Sequence, residues 1–160
     1  MPNSCFSPAI ASALLVGALT VTFAAGLIAS SDARAELGGT MPVQTGPAAD
    51  APRVLLNGAL RMRTLTDAGQ TTVNEYATST GQIVAYAWRG PTMPDLHALL
   101  GRYADSYRAG AASAADGNLH ASRVLRPDVI VESGGPMRGY VGRAWLPAAL
   151  PAGVTVDDLR

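Results

Sequence analysis

Residues 71–88 read TTVNEYATSTGQIVAYAW. In the first half Val73, Glu75 and Ala77 alternate with Asn74, Tyr76 and Thr78. In the second, Ile83, Ala85 and Ala87 alternate with Val84, Tyr86 and Trp88. A period of two puts successive side chains on opposite faces of a strand. Ser79-Thr80-Gly81 separates the two runs, and a short loop ending in glycine between alternating runs predicts a β-hairpin. Gly81 supplies the positive φ of its turn. Val84, Tyr86 and Trp88 make the bulkier face, which is expected to pack on the core with Tyr76 on the facing strand.

Arg89-Gly90-Pro91 ends the hairpin. Thr92 can cap a helix and Pro94 suits a first turn, where no amide donor is needed. Leu96, Leu99, Leu100, Tyr103 and Tyr107 follow at i, i+3, i+4, i+7 and i+11. That spacing predicts one amphipathic helix over residues 94–109, with Leu99, Leu100 and Tyr103 facing the sheet. Further strands are expected over residues 59–66, 120–126, 128–133 and 137–146. The order β-β-β-α-β-β-β implies an α+β fold: an antiparallel sheet of about five to six strands with one helix packed on one face.

Upstream of the hairpin, residues 38–53 are rich in Gly, Pro, Ala and Thr without periodicity, so residues 36–53 are expected to form a flexible arm. A single domain is expected over residues 54–160. Residues 1–35 have a different character. No charge precedes Asp32, residues 9–29 are apolar apart from Ser12, Thr20 and Thr22, and Ala33-Arg34-Ala35 follows. An apolar run ending in A-x-A is the pattern of a secretory signal peptide, with Ala33 and Ala35 placing the cut after Ala35. The competing reading is a retained N-terminal membrane anchor, because the run is long enough to span a bilayer.

The chain has 160 residues with 12 basic and 12 acidic side chains. Every basic residue is Arg. Without lysine there is no P-loop and no lysine Schiff base. Cys5 is the only cysteine and precedes the apolar run, so cleavage leaves no disulfide and no thiolate nucleophile. A neutral charge balance argues against nucleic acid and against an anionic membrane surface as partners.

Motifs for catalysis are missing. His97 and His120 are the only histidines, and the sequence holds neither a zinc pattern nor a calcium loop. Ser133 lacks the glycine two residues earlier that a nucleophile elbow requires. No metal or other cofactor is expected. Glu75 is read as a structural ion-pair partner for an arginine on a neighbouring strand. An aromatic–arginine surface built from Trp88, Arg89, Arg138, Tyr140 and Arg143 is the candidate binding surface, suited to a sugar or a peptide.

Several strings point to a relationship. They are Leu37-Gly38-Gly39, Glu75-Tyr76, Ala87-Trp88-Arg89-Gly90-Pro91, Pro94-Asp95-Leu96, Leu99-Leu100-Gly101, Ser133-Gly134-Gly135 with Met137-Arg138, Gly142-Arg143-Ala144, and Leu150-Pro151-Ala152-Gly153-Val154. Together they resemble a bacterial family of short exported proteins known as domain of unknown function 2844. The resemblance implies export and one small domain, and it implies no activity. The expectation is therefore a noncatalytic binding or accessory protein, periplasmic or secreted, with a protein or glycan partner in the envelope. The alternative is a small envelope hydrolase with a carboxylate or histidine site.

Overall fold

The computed structural model describes residues 35–42, 51–113 and 121–160. The apolar run of residues 9–29, Ala33 and His120 lie outside them. Seven strands form one sheet: β1 (Arg53–Leu55), β2 (Leu60–Thr66), β3 (Thr72–Thr78), β4 (Ile83–Gly90), β5 (Ala121–Leu125), β6 (Ile130–Gly134) and β7 (Tyr140–Trp145). Their order is β1-β2-β3-β4-β7-β6-β5, and every neighbouring pair is antiparallel. The α+β class stands, but the expected five to six strands become seven. The additional strand, β1, is three residues at a sheet edge after Pro52, too short to show an alternation.

The hairpin forms as its pattern predicts, with Gly81 at φ +89° in the turn. Its two faces are not as expected. Tyr76 pairs with Ala85 and Ala77 with Ile83, so Val84 is passed over in a β-bulge. One extra residue exchanges the faces on either side of it. Ile83, Tyr86 and Trp88 therefore share the helix side with Val73 and Ala77. Val84 joins Tyr76, Ala85 and Ala87 on the opposite side. Both sides of β4 are covered, which is why six consecutive residues of it, from Ile83 through Trp88, are buried.

The helix is interrupted. Asp95, rather than Thr92, is the cap, and its side chain accepts the Ala98 N–H. A first segment, α1 (Leu96–Leu100), passes through a 3-10 turn at Gly101–Tyr103 into α2 (Ala104–Ser113). Gly101 has φ +51°, and a Cβ there would stand 1.9 Å from the Glu36 carboxylate. The break thus makes room for the N-terminal segment. The predicted stripe keeps its role: Leu99 and Leu100 are buried, and Leu96, Tyr103 and Tyr107 pack beside them.

Residues 36–42, expected to belong to a flexible arm, are instead part of the folded unit. Leu37 is 0 % exposed. Its N–H bonds to Leu99 O at 2.8 Å, Gly38 N–H bonds to Ile83 O at 2.9 Å, and Ile83 N–H returns to Gly39 O at 2.8 Å. Gly38, at φ +82°, lies under Tyr103, where a Cβ would come within 3.1 Å of the ring. The two glycines that suggested looseness are what lets the chain pass between helix and hairpin. One compact unit spans Asp32–Arg160.

The opposite side of the sheet is covered by the last fourteen residues. Leu159 is buried there against Leu60, Tyr76, Ala87 and Trp145, with Leu150, Val154 and Val156 beside it. A 3-10 turn at Val156–Asp158 is held by a capping box, in which Thr155 N–H and Oγ1 both lie 2.8 Å from Asp158 Oδ2. Among the described residues, no helix is long and apolar enough to cross a membrane.

Candidate functional site

The tail covers only part of its side of the sheet. Beyond Leu159 and Arg160, the ends of β3, β4, β7, β6 and β5 leave a groove of about 690 Å³. Its shape follows from residue size. Ala87, Ala121 and Gly134 border it on this side of the sheet. These positions carry little or no side chain, so the floor stays low between longer neighbours.

Four arginines line this groove: Arg89, Arg123, Arg143 and Arg160. Register explains how they meet. Arg143 stands opposite Ala87 on one neighbour and Glu132 on the other, Glu132 stands opposite Arg123, and Arg89 stands opposite Thr72 and Val141. Arg143 Nε donates to Glu132 Oε2 at 2.7 Å, and Arg123 Nε lies 2.8 Å from Glu132 Oε1. One carboxylate thus serves two guanidinium groups. Arg143 is fixed further, by donation to Val156 O at 2.8 Å and by its position over the Trp145 ring at 5.6 Å. Arg89 is exposed and makes no ion pair among the described residues. The groove therefore holds a positive excess with one guanidinium uncommitted, and guanidinium forks match carboxylates.

The far wall is anchored by Tyr76. Its hydroxyl bonds the backbone oxygen of Arg160 and accepts the Arg160 N–H at 2.9 Å, while Asn74 Nδ2 donates to the same oxygen at 2.7 Å. Burial pushes the Tyr76 phenol above its usual range, with the hydrogen bonds from Arg160 and Asn74 pulling the other way.

The residues singled out in the sequence are split by the sheet. Arg89 and Arg143 face the groove. Trp88 borders it, but its indole is 3 % exposed and belongs to the helix-side core. Tyr140 stands opposite Gly90 on that same side and is half-buried. Arg138 lies in the turn before β7, exposed, at φ +65°. No single surface unites all five. Arg123, Glu132 and Arg160 complete the site, and nothing in their local sequence marks them. Their meeting depends on strand order, with β7 inserted between β4 and β6.

Elsewhere, Glu75 has the arginine partner expected of it. Arg63 Nη2 reaches both of its carboxylate oxygens at 3.0 Å, and both residues are buried. His97 is exposed on α1. Asp128 accepts from Ser106 at 2.8 Å. Among the described residues, no group of three or more His, Cys, Asp or Glu is placed to hold a metal ion.

No curated protein and no solved structure matches the chain. A family model does match, over residues 33–159, and its limits coincide with the folded unit rather than with the apolar N-terminus. The chain belongs to the family described as "Protein of unknown function (DUF2844)".

Proposed function

We propose that the protein is a small exported binding protein of the bacterial envelope, whose groove on the tail side of the sheet takes an acidic glycan. The observation that carries this reading is Arg89. It is an exposed guanidinium without an ion-pair partner among the described residues, on the rim of a groove whose one glutamate is already held by Arg123 and Arg143. A volume of about 690 Å³ falls in the range of small-molecule sites. Thr72 and Ser122 add hydroxyls at its edge, suited to sugar hydroxyls, while the arginines suit carboxylates. Export is supported by the apolar run and by Ala33 and Ala35 at the spacing of a cleavage site.

The test is calorimetric titration at low salt with a uronic-acid oligosaccharide and with its neutral counterpart. Binding of the acidic chain alone is expected, weakened about tenfold or more by Arg89→Gln, since a charge-assisted bond contributes roughly 1.5–3 kcal/mol. Equal affinity for the neutral chain, or none for either, overturns the reading. The oligosaccharide should be recovered at its original length; shortening would replace a binding role with a hydrolytic one.

A further inference from the structure

Strand register sets six residues in one line across the sheet. Thr66 stands opposite Thr72, Thr72 opposite Arg89, Arg89 opposite Val141, Val141 opposite Gly134, and Gly134 opposite Ala121. Val141 and Gly134 lie two residues along their strands from Arg143 and Glu132, so the line shares the groove face. Its members are exposed, apart from Gly134, which is half-buried. Beside the line stand the ion pairs of Glu132 with Arg123 and Arg143, and the tail with Leu159 and Arg160. The ends are different. β1 pairs only with Leu60–Met62, so among the described residues no strand lies outside Thr66. At the other end β5 is the last strand of the sheet. The line is therefore walled along one side and open at both edges.

We propose that this line holds the interior of a linear acidic polysaccharide laid across the strands, rather than a chain end or a single sugar. The inference rests on the acidic-glycan reading given above and extends it from the rim at Arg89 to the whole width of the sheet. Length supports it. Neighbouring strands lie about 4.8 Å apart, so the line from β2 to β5 is about 24 Å long. A pyranose unit advances a linear chain by nearly one strand spacing, so about five units fill it. The chemistry along the line suits such a chain. Thr66 and Thr72 present hydroxyls to ring hydroxyls on one half. Arg89, in the middle, takes a carboxylate in its fork. Val141, Gly134 and Ala121 keep the other half low and apolar, where the C–H face of a ring can lie. Rotation about glycosidic bonds lets the chain follow the twist of the sheet, roughly 20–25° per strand. An acidic peptide would instead add along a strand edge through its backbone.

Calorimetric titration at one low salt concentration, with a series of uronic-acid oligomers from the monosaccharide upward, tests the proposal without any variant. Affinity is expected to rise at least about tenfold from dimer to pentamer, the effect of one or two hydrogen bonds to sugar hydroxyls. It should level off near about six units, where the chain outgrows the strands. Reducing the terminal aldehyde of the hexamer should leave its affinity unchanged, because an interior segment is held. Thr66→Glu and Ala121→Glu then place a repelling carboxylate at opposite edges of the sheet. Each should narrow the gap between hexamer and dimer about threefold or more, as surface charges do. Both positions are exposed, and the melting temperature of each variant checks that the fold is kept. Loss of the gap at one edge only, or binding that depends on the reducing end, overturns the proposal, since either means that a chain end is held. Equal affinity for oligoglutamate of the same length overturns it in favour of an acidic peptide. The length series also separates two failures. A monosaccharide that binds as tightly as the hexamer overturns this proposal alone, whereas no binding of any acidic sugar overturns the glycan reading with it.

Discussion

The indole of Trp88 fills the space above Gly142: a Cβ built on that glycine would stand 2.3 Å from Cζ2 and 2.5 Å from Cε2. The two residues are register partners on β4 and β7, so the glycine is what allows the largest side chain of β4 to lie flat across its neighbour. Gly142→Ala is expected to destabilise the fold by about 1–3 kcal/mol, the cost of overpacking a filled core. Urea denaturation with tryptophan fluorescence measures it, and a change within about 0.5 kcal/mol would mean that the ring is free to move aside.

The Arg63–Glu75 pair provides a second expectation. Both side chains are buried, and Arg63 Nη2 reaches both carboxylate oxygens. Removing one member of a buried pair costs about 3–5 kcal/mol, whereas replacing both by apolar residues of similar size is often nearly neutral. Arg63→Met should therefore be strongly destabilising, and Arg63→Met with Glu75→Leu should recover most of the loss. Additive costs in the double variant, measured by urea denaturation, would show that the pair does not act as a unit.

The sequence made the sheet legible wherever alternation ran undisturbed. Residues 72–78 and 83–90 show it on their own, and so does the helical stripe from Leu96 to Tyr107. What stayed hidden depends on partners far away in the chain. The bulge at Val84 is invisible because β4 alternates smoothly through it, and only pairing with Tyr76 and Ala77 reveals the extra residue. Residues 36–42 looked loose because glycine is read as a breaker, yet Gly38 and Gly39 are where close packing excludes a side chain. The groove was half legible. Arg89 and Arg143 stood out beside their tryptophans, but Arg123, Glu132 and Arg160 join them only through a strand order that no local pattern encodes.

The last turn of the tail that walls the groove is expected to respond to both acid and alkali. Hydrogen bonds from Thr155 N–H and Oγ1 hold the exposed Asp158 carboxyl below its usual value, helped by Arg160. A depressed carboxyl stabilises fully above the ordinary aspartate value, about 4, and the contribution is lost as pH falls through the lower folded value. The Thr155 amide proton resonance should shift on acidification with a midpoint below that of an exposed aspartate. Tyr76 works in the opposite direction. Its raised phenol favours the neutral form, so its contribution is present below about 10 and is lost as pH rises through the folded value. Near-ultraviolet titration should show a late-ionising phenol that Tyr76→Phe removes.

Leu37 separates the packed segment from the flexible arm that composition suggests. In an arm, Leu37→Ala would change stability by no more than about 0.5 kcal/mol, as exposed substitutions do. In the structure Leu37 is fully buried in the same cluster as Leu99, Leu100, Ile83 and Tyr86. Its backbone is also tied to Leu99, so the side chain has no easy route of collapse once shortened. Leu37→Ala should then cost about 2–5 kcal/mol, comparable to Leu100→Ala at the centre of the helix stripe. The two variants are compared by urea denaturation of the chain that starts at Glu36. A large loss for Leu100→Ala beside a negligible one for Leu37→Ala would place residues 36–42 outside the cooperative unit. Similar losses would make them the first structural element of the domain, beginning at its proposed N-terminus.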